Sequence, residues 1–242
     1  MKPTFYSVRC MIRVALVASG ILVTTGIGSL DAEALPITGL WNTGVDDLGN
    51  PVAAGGLETH YGAELPGDAN PDYRIRTVLL PSSYVRNPSD AAWIGPSLTA
   101  SEGALVDDPV GSYVYRLTFD LSGYATGTAA IWGLWASDNH SSIRLNGVDT
   151  GWAVGFEQFG RLTAFSLFDG MLGLNGVPLR FEEALNTLEF HVINGSGWGN
   201  PSALLVSGLG GSAEAVPDQG SILLLLIGAF ICLVPVSRAL RS

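Results

Sequence analysis

Cysteine is nearly missing from this 242-residue chain, because only Cys10 and Cys232 occur, one in each of the two terminal segments. The central part cannot form a disulfide, so its stability has to come from a hydrophobic core. Lysine is scarcer still, since Lys2 stands alone and acidic residues outnumber lysine plus arginine by 22 to 12. Nucleic-acid phosphates need cationic partners, so this balance argues against nucleic-acid binding.

The signatures of common catalytic sites are also missing. The chain has no Gly-x-Ser-x-Gly elbow, no His-Glu-x-x-His pair and no phosphate-binding glycine loop. Its histidines, at positions 60, 140 and 191, lack the paired spacing of a zinc site. A glycosidase needs two carboxylates in different environments, for which Glu157, Glu182 and Glu183 are the candidates. We therefore predict no catalytic residues.

The end of the chain has a short polar motif, an apolar run and a basic end, in that order. The motif is Val216-Pro217-Asp218, the run extends from Ser221 to Val236, and Arg238 and Arg241 follow it. The run has about sixteen residues against the ~20 of an ordinary spanning helix, so it predicts a short transmembrane helix at 221–236. Positive charge only on its far side predicts that the preceding domain lies outside the cytoplasm.

This order resembles the PEP-CTERM class of bacterial sorting signals, and within it the variant called VPDSG-CTERM. Gln219 stands where that variant usually has serine, and Gly220 follows it. The resemblance is confined to residues 214–242. It implies a Gram-negative cell with an exosortase-type membrane transpeptidase that recognises Val216, Pro217 and Asp218 and cleaves near them. An ordinary C-terminal membrane anchor is the alternative.

The other terminus also predicts export. Lys2, Arg9 and Arg13 precede the apolar segment Val14–Leu30, and Ala32-Glu33-Ala34 matches an A-x-A cleavage site. We therefore predict a signal-peptide helix within residues 1–34, cleaved after Ala34, with an uncleaved N-terminal anchor as the alternative. Both termini predict that residues 35–213 form an exported domain.

Short segments of alternating polarity fill this domain. Apolar residues alternate with polar ones from Tyr113 to Asp120, which predicts a half-buried strand. Similar runs, separated by Gly, Asn, Asp and Pro, occur at 73–80, 129–136, 142–145, 162–168, 187–193 and 203–207. Many short strands with turns between them predict an all-β sandwich. A brief helix is predicted at 181–185 and a flexible tether at 208–215.

The order of several pieces resembles the galactose-binding-like jelly roll. These pieces are Tyr115–Leu121, Trp135–Asn139, Ile143–Gly147, Asn186–Phe190 and Asn200–Val206. That fold serves many carbohydrate-binding modules, so the resemblance implies a jelly-roll β-sandwich and favours carbohydrate as the ligand.

Polar and aromatic residues at strand ends are the candidate ligand contacts, because loops at one end of a sandwich share a rim. Aromatic faces suit the apolar faces of sugar rings, and amides and carboxylates bind the hydroxyls. The candidates are Trp135, Asp138, Asn139, Asn146, Trp152, Asn194, Trp198 and Asn200. Three of them have alternatives, since Trp135 alternates with apolar neighbours as a core residue does, and Asp138-Asn139 also suits a turn.

Loop carboxylates and amides also suit calcium, and Asp138 with Asn139 is the candidate for a structural calcium ion. Asp46-Asp47 and Asp107-Asp108 offer the same chemistry, although no EF-hand spacing is present. The sequence thus predicts an exported, membrane-tethered β-sandwich that binds exopolysaccharide without catalysis. A purely structural envelope or matrix protein is the first alternative, and a polysaccharide hydrolase or lyase is the second.

Overall fold

The computed structural model describes residues 15–17, 20–22, 33–73, 75–78, 80, 82–96, 108–156, 158–196 and 200–216. The chain divides into two units, residues 1–31 and residues 32–242. In the first unit, β1 (Ala15–Val17) and β2 (Gly20–Leu22) pair antiparallel. The predicted signal-peptide helix is therefore not seen at these residues, where β-branched valine and isoleucine favour extended backbone. The predicted cleavage and export stay predictions.

The second unit contains two antiparallel sheets. Its strands in the described residues are β3 (Ala34–Pro36), β4 (Tyr61–Leu65), β5 (Asp68–Tyr73), β6 (Arg76–Thr77), β7 (Ile94–Gly95), β8 (Gly111–Asp120), β9 (Ala130–Asp138), β10 (His140–Leu145), β11 (Val148–Val154), β12 (Thr163–Phe168), β13 (Leu185–Asn194) and β14 (Ala203–Glu214). The first sheet has the order β11-β10-β13-β8-β4-β5, and the second has the order β12-β9-β14-β7-β6, with β3 pairing β14. In the part of the chain that the structure describes, the short 3-10 helices Thr126–Thr128 and Gln158–Gly160 lie between strands.

The main core lies between the two sheets. On β8 the apolar side chains Tyr113, Tyr115, Leu117 and Phe119 are buried and the residues between them face outward, as the alternation predicts. Phe165 of β12 and Phe190 of β13 belong to different sheets, and their ring centroids lie 6.0 Å apart. The predicted all-β sandwich is therefore confirmed.

A second, smaller hydrophobic cluster lies on the outer face of the second sheet. It consists of Val78, Ala91, Trp93, Ala136, Ala203 and Leu205, with Tyr84 and Phe159 packed against it. Ala136 belongs to β9 and Leu205 to β14, and both face away from the main core because their neighbours Trp135 and Leu204 face into it. The segment from Val78 to Trp93 thus covers one end of the sheet.

Most strand predictions are confirmed. The runs at 113–120, 129–136, 142–145, 162–168, 187–193 and 203–207 correspond to β8, β9, β10, β12, β13 and β14. The strand predicted at 73–80 is wrong, because β5 ends at Tyr73 and β6 covers only Arg76–Thr77. The chain crosses there from the first sheet to the second, so Ile75 is buried in the main core and Val78 in the outer cluster.

Two further local predictions are wrong. Residues 181–184 are not helical, because the Asn186 side chain binds this segment itself: its Oδ1 accepts from the Glu182 N–H at 2.8 Å, and its Nδ2 donates to the Glu182 and Ala184 carbonyls at 2.9 Å each. Residues 208–214 are no flexible tether but the second half of β14, where Ser212 pairs with Ala130 on one side and with Pro36 on the other.

The predicted sorting and membrane residues lie mostly outside the described part of the chain. Pro217, Asp218, Arg238, Arg241 and the predicted transmembrane helix at 221–236 are not described, and neither is Ala32. Ala34 begins β3 and Val216 is exposed. Within the described ranges, no helix has both the length and the apolar character needed to span a bilayer.

Candidate functional site

Four of the candidate residues meet at one end of the sandwich. β9 ends at Asp138, with Asn139 next to it, β13 ends at Asn194, and Asn200 precedes β14. Asn139 Nδ2 donates to Asn200 Oδ1 at 2.9 Å, and Asn200 Nδ2 donates back to Asn139 Oδ1 at 3.1 Å. Asn194 Nδ2 donates to the Asn200 carbonyl at 3.2 Å. Their binding of a ligand stays a prediction, but their convergence is observed.

The asparagines of this cluster also hold the backbone of the neighbouring loops. Asn139 Oδ1 accepts from the Gly195 N–H at 2.9 Å, and Asn200 Nδ2 donates to the Gly195 carbonyl at 2.8 Å. Asn194 Nδ2 reaches the Asp108 carbonyl at 3.0 Å. Asn139 and Asn194 are each only 1% exposed. They therefore position the loops of this end, and their amides are satisfied largely by the protein itself.

Asp138 links this polar network to the outer hydrophobic cluster. Its carboxylate accepts hydrogen bonds from the Tyr84 hydroxyl and from Asn139 Nδ2. The side chain is almost completely buried. Burial raises the pKa of Asp138 to about 6, although the hydrogen bonds from Tyr84 and Asn139 act in the opposite direction. Burial likewise raises the pKa of Tyr84 well above its ordinary value, so its hydroxyl stays a neutral donor.

Beside this pair lies a cleft of about 300 Å³ on the outside of the second sheet, which we call the Tyr84 cleft. Tyr84 and Trp93 line it together with Ser82, Arg86 and Asn87. The Tyr84 ring lies 4.6 Å from the Phe159 ring and 5.7 Å from the Trp93 ring, measured between centroids. Trp93 is almost fully buried, whereas Tyr84 is partly exposed. The Tyr84 ring is therefore the aromatic surface in the cleft that a ligand can contact.

Two hydrogen bonds fix the wall of the Tyr84 cleft. Trp93 Nε1 donates to the Val85 carbonyl at 2.8 Å, and Asn87 Oδ1 accepts from the Trp93 backbone N–H at 3.1 Å. These residues are not among the candidates that the sequence predicts. The signal that was there is an aromatic residue inside the polar loop Ser82–Asn87, shortly before a tryptophan.

Of the predicted aromatic contacts, the structure describes Trp135 and Trp152, and both pack within the protein. Trp135 is 0% exposed and donates from Nε1 to Ser141 Oγ at 3.0 Å, so its position is that of a core residue. Trp152 packs edge-on against Trp135, with centroids 6.5 Å apart, and donates to the Ser166 carbonyl at 2.9 Å. Trp198 lies outside the described residues.

Asn146 does not join the predicted rim. It follows the opposite end of β10 from Asp138, roughly 17 Å away at about 3.3 Å per residue. Its side chain accepts from the Thr187 N–H at 2.8 Å and donates to the Arg180 carbonyl at 2.9 Å. Its φ of 50° confirms the turn that Asn146-Gly147 predicts. Its role is therefore to shape that turn.

The carboxylate of the predicted calcium site already accepts hydrogen bonds from neighbouring side chains. The Asp138 oxygens face the Tyr84 O–H and the Asn139 N–H, which a cation would have to displace. Asp46 Oδ1 accepts from the Leu48 and Asn50 N–H groups at 2.9 and 2.8 Å, as in an Asx turn. Among the residues that are described, no three acidic, histidine or cysteine side chains group around a common point suited to a metal. Calcium stays a prediction.

Comparisons with known proteins give few matches. No family model matches the chain, and no curated protein matches it. Among solved structures, a family 35 carbohydrate binding module from an environmental isolate is 14% identical, with a TM-score of 0.24, over 46% of this chain and 77% of that one. The GH31 alpha-xylosidase from Xanthomonas citri is 15% identical, with a TM-score of 0.19, over 77% of this chain and 24% of that one. The β-sandwich fold is therefore established by the pairing of its strands in two sheets.

Proposed function

We propose that this protein is an exported, membrane-tethered β-sandwich that binds carbohydrate without catalysis. The observation that carries the proposal is the Tyr84 cleft, where a partly exposed aromatic ring lies beside Ser82, Arg86 and Asn87. Sugar rings present an apolar C–H face, which packs on an aromatic ring, and hydroxyls, which pair with polar side chains. A hydroxyl, a guanidinium and an amide supply the polar partners here.

The fixed position of Tyr84 supports this proposal. The hydroxyl donates to Asp138, and the ring packs against Phe159 and Trp93. A ring that is already ordered loses little conformational entropy when a ligand packs on it. The asparagine cluster at the same end orders Gly195 and Asn200 on both sides of residues 197–199, and we propose Trp198 as a second aromatic contact.

Export and tethering are supported by the order of the terminal motifs and by where the chain leaves the sandwich. The Val216 N–H donates to the Gly123 carbonyl at 2.8 Å, beyond the end of β8. This is the end opposite to Asp138, because Ser212 pairs with Ala130 at the start of β9 and Ala203 pairs with Asp138 at its end. A tether that follows Val216 leaves the Tyr84 cleft directed away from the membrane, where extracellular polysaccharide is accessible.

The test is binding of the full-length protein, held in a detergent without sugar headgroups, to insoluble cellulose, xylan, mannan and galactan and to polysaccharide from the producing cells. The Tyr84→Ala variant is expected to bind at least about tenfold more weakly, because an aromatic anchor that dominates a contact site carries about 2 kcal/mol or more. Tyr84→Phe keeps the ring and is the matched control, expected to bind within a few-fold of the native chain.

Three other outcomes of these binding and activity measurements would contradict the proposed function or the proposed site. Failure to bind any of these polymers contradicts the proposal and favours a purely structural envelope or matrix protein. Release of reducing sugar from a polymer favours a hydrolase, and release of unsaturated sugar favours a lyase. Equal binding by the native chain and Tyr84→Ala removes the Tyr84 cleft as the site.

A further inference from the structure

Arg144 lies on the outer face of the first sheet, where its Nε has no partner among the described residues. It is on β10 between Ile143 and Leu145, which are both buried in the main core, so its side chain faces the opposite way. Its Nε is buried and has no hydrogen-bond partner, and no ion pair joins its guanidinium to any residue in the described ranges. Four other arginines each donate to an acceptor: Arg76, Arg116, Arg161 and Arg180.

The two carboxylates that flank Arg144 across the strands are engaged, wholly or in part, by other groups. In register, Asp149 of β11 and Glu189 of β13 flank Arg144. Glu189 Oε1 accepts from Arg116 Nε at 2.8 Å, and its Oε2 lies 3.1 Å from His191 Nε2. Asp149 Oδ1 accepts from the Gly151 N–H at 3.0 Å, which leaves Oδ2 as an acceptor. A buried donor that the described residues leave unsatisfied is rare, and the half-buried guanidinium has further N–H donors that an acceptor from outside can reach.

A cleft of about 320 Å³ lies where that acceptor is needed. It is lined by Arg144, Gly147, Val148, Asp149, Asn175 and Val177, and we call it the Arg144 cleft. Its outer wall is the loop between Leu172 and Pro178, which form an isolated bridge. The Leu174 N–H donates to the Asp149 carbonyl at 3.0 Å, so this wall is fixed against β11. The volume is at the lower end of the ~300–1,000 Å³ of small-molecule sites and suits one or two sugar rings.

We propose that the Arg144 cleft is a second saccharide-binding site, which takes an uncharged sugar. Arg144 donates to ring or hydroxyl oxygens, Asp149 Oδ2 accepts from a hydroxyl, and Asn175 does either. Val148 and Val177 contact the C–H face of the ring. An uncharged ligand fits because Asp149 and Glu189 flank the guanidinium on a chain of net charge −10, which repels an anion.

This proposal rests on the proposed carbohydrate function and adds a site at the other end of the sandwich. Arg144 and Gly147 lie at the end of β10 remote from Asp138, roughly 17 Å away at about 3.3 Å per residue. Two sites on opposite ends let one molecule contact two polymer chains, or one chain twice, which raises the overall affinity beyond that of either site.

The test is calorimetric titration of the full-length protein, in a detergent without sugar headgroups, with soluble gluco-, xylo-, manno- and galacto-oligosaccharides. To isolate this site, the titrations use the Tyr84→Ala background. Arg144→Met is expected to weaken binding about tenfold or more, which corresponds to about 1.4 kcal/mol or more. Asn175→Ala, on an exposed loop, is expected to weaken it several-fold, and Arg161→Met is the matched control expected to leave it unchanged.

A direct readout comes from the Arg144 Nε–Hε signal in an NMR spectrum, which is expected to shift when a neutral oligosaccharide is added. An unchanged affinity in both Arg144→Met and Asn175→Ala overturns this site and leaves the proposed function intact if the Tyr84 cleft binds. The same titration is repeated with uronate oligosaccharides, and binding of these but of no neutral ones overturns the uncharged class. If no oligosaccharide or polymer binds the native chain, both proposals fall.

Discussion

The hydroxyl of Tyr84 donates a hydrogen bond to the carboxylate of Asp138, across 54 residues of sequence. Through this bond the segment that covers the outer face of the second sheet is joined to the end of β9. Asp138 is at the same time the first member of the asparagine cluster, because it accepts from Asn139 Nδ2. One buried carboxyl group therefore connects the Tyr84 cleft with the loops that follow β13.

The first prediction concerns the pH dependence that Asp138 gives to stability. Its pKa is raised from 3.8 to about 6 by burial, so the folded state holds a proton that the unfolded state releases. The free energy of unfolding is therefore expected to fall as the pH rises from about 4 to 6, by at most about 3 kcal/mol. Urea denaturation at a series of pH values measures this decline in the free energy of unfolding.

Asp138→Asn is expected to remove this decline. An amide with its oxygen toward Asn139 and its NH2 toward the Tyr84 oxygen imitates the protonated acid without titrating. Glu183→Gln, at an exposed position, is the control and is expected to leave the profile as in the native chain. A decline between pH 4 and 6 that persists unchanged in Asp138→Asn contradicts the assignment to this residue.

Glu189 gives the opposite dependence. The hydrogen bond from His191, with the hydrogen bonds and charge of Arg116, lowers the pKa of Glu189 from 4.5 to about 2. A carboxylate that is held ionised stabilises the fold above pH 4.5, and this stabilisation is lost as the pH falls from about 4.5 to 2. We expect Glu189→Gln to be less stable than the native chain at pH 6 and to lose less stability on acidification. Equal acid sensitivity of both proteins is the result that contradicts this prediction.

The regular strands were predictable from the sequence, and the site was not. The alternation from Tyr113 to Asp120 fixes which side chains face the core, because the period of two in a strand is a local property. The Tyr84–Asp138 contact depends on how the segment between Val78 and Trp93 folds back over the second sheet, which no local pattern encodes. Asn186 shows the same limit, because its side-chain bonds replace the helix that the Phe181–Leu185 composition predicts.

A substitution at Gly44 tests how closely the segment before β4 packs on the sandwich. Its φ is +65°, and an added Cβ would lie 2.8 Å from the Ala92 Cβ and 2.9 Å from the Ala92 carbonyl oxygen. Gly44→Ala is therefore expected to lower the free energy of unfolding by about 3 kcal/mol, through backbone strain plus overlap. Gly49 has a φ of +80° with open space around it, so Gly49→Ala isolates the backbone strain and is expected to cost about 1 kcal/mol. Equal losses in the two variants would show that Ala92 yields to the added methyl group.

Trp132 and Trp135 lie three positions apart on β9, so their side chains face opposite sides of the sheet and differ in burial. Trp135 is 0% exposed and contacts Phe165 of the neighbouring strand edge-on, with centroids 5.5 Å apart, whereas Trp132 is 45% exposed on the outer face. Trp135→Ala is therefore expected to lower the free energy of unfolding by about 3–5 kcal/mol, because it leaves a cavity in the main core. Trp132→Ala is expected to change it by less than about 1 kcal/mol. Chemical denaturation followed by far-ultraviolet circular dichroism measures both variants, and a loss at Trp132 as large as that at Trp135 would contradict the orientation of β9.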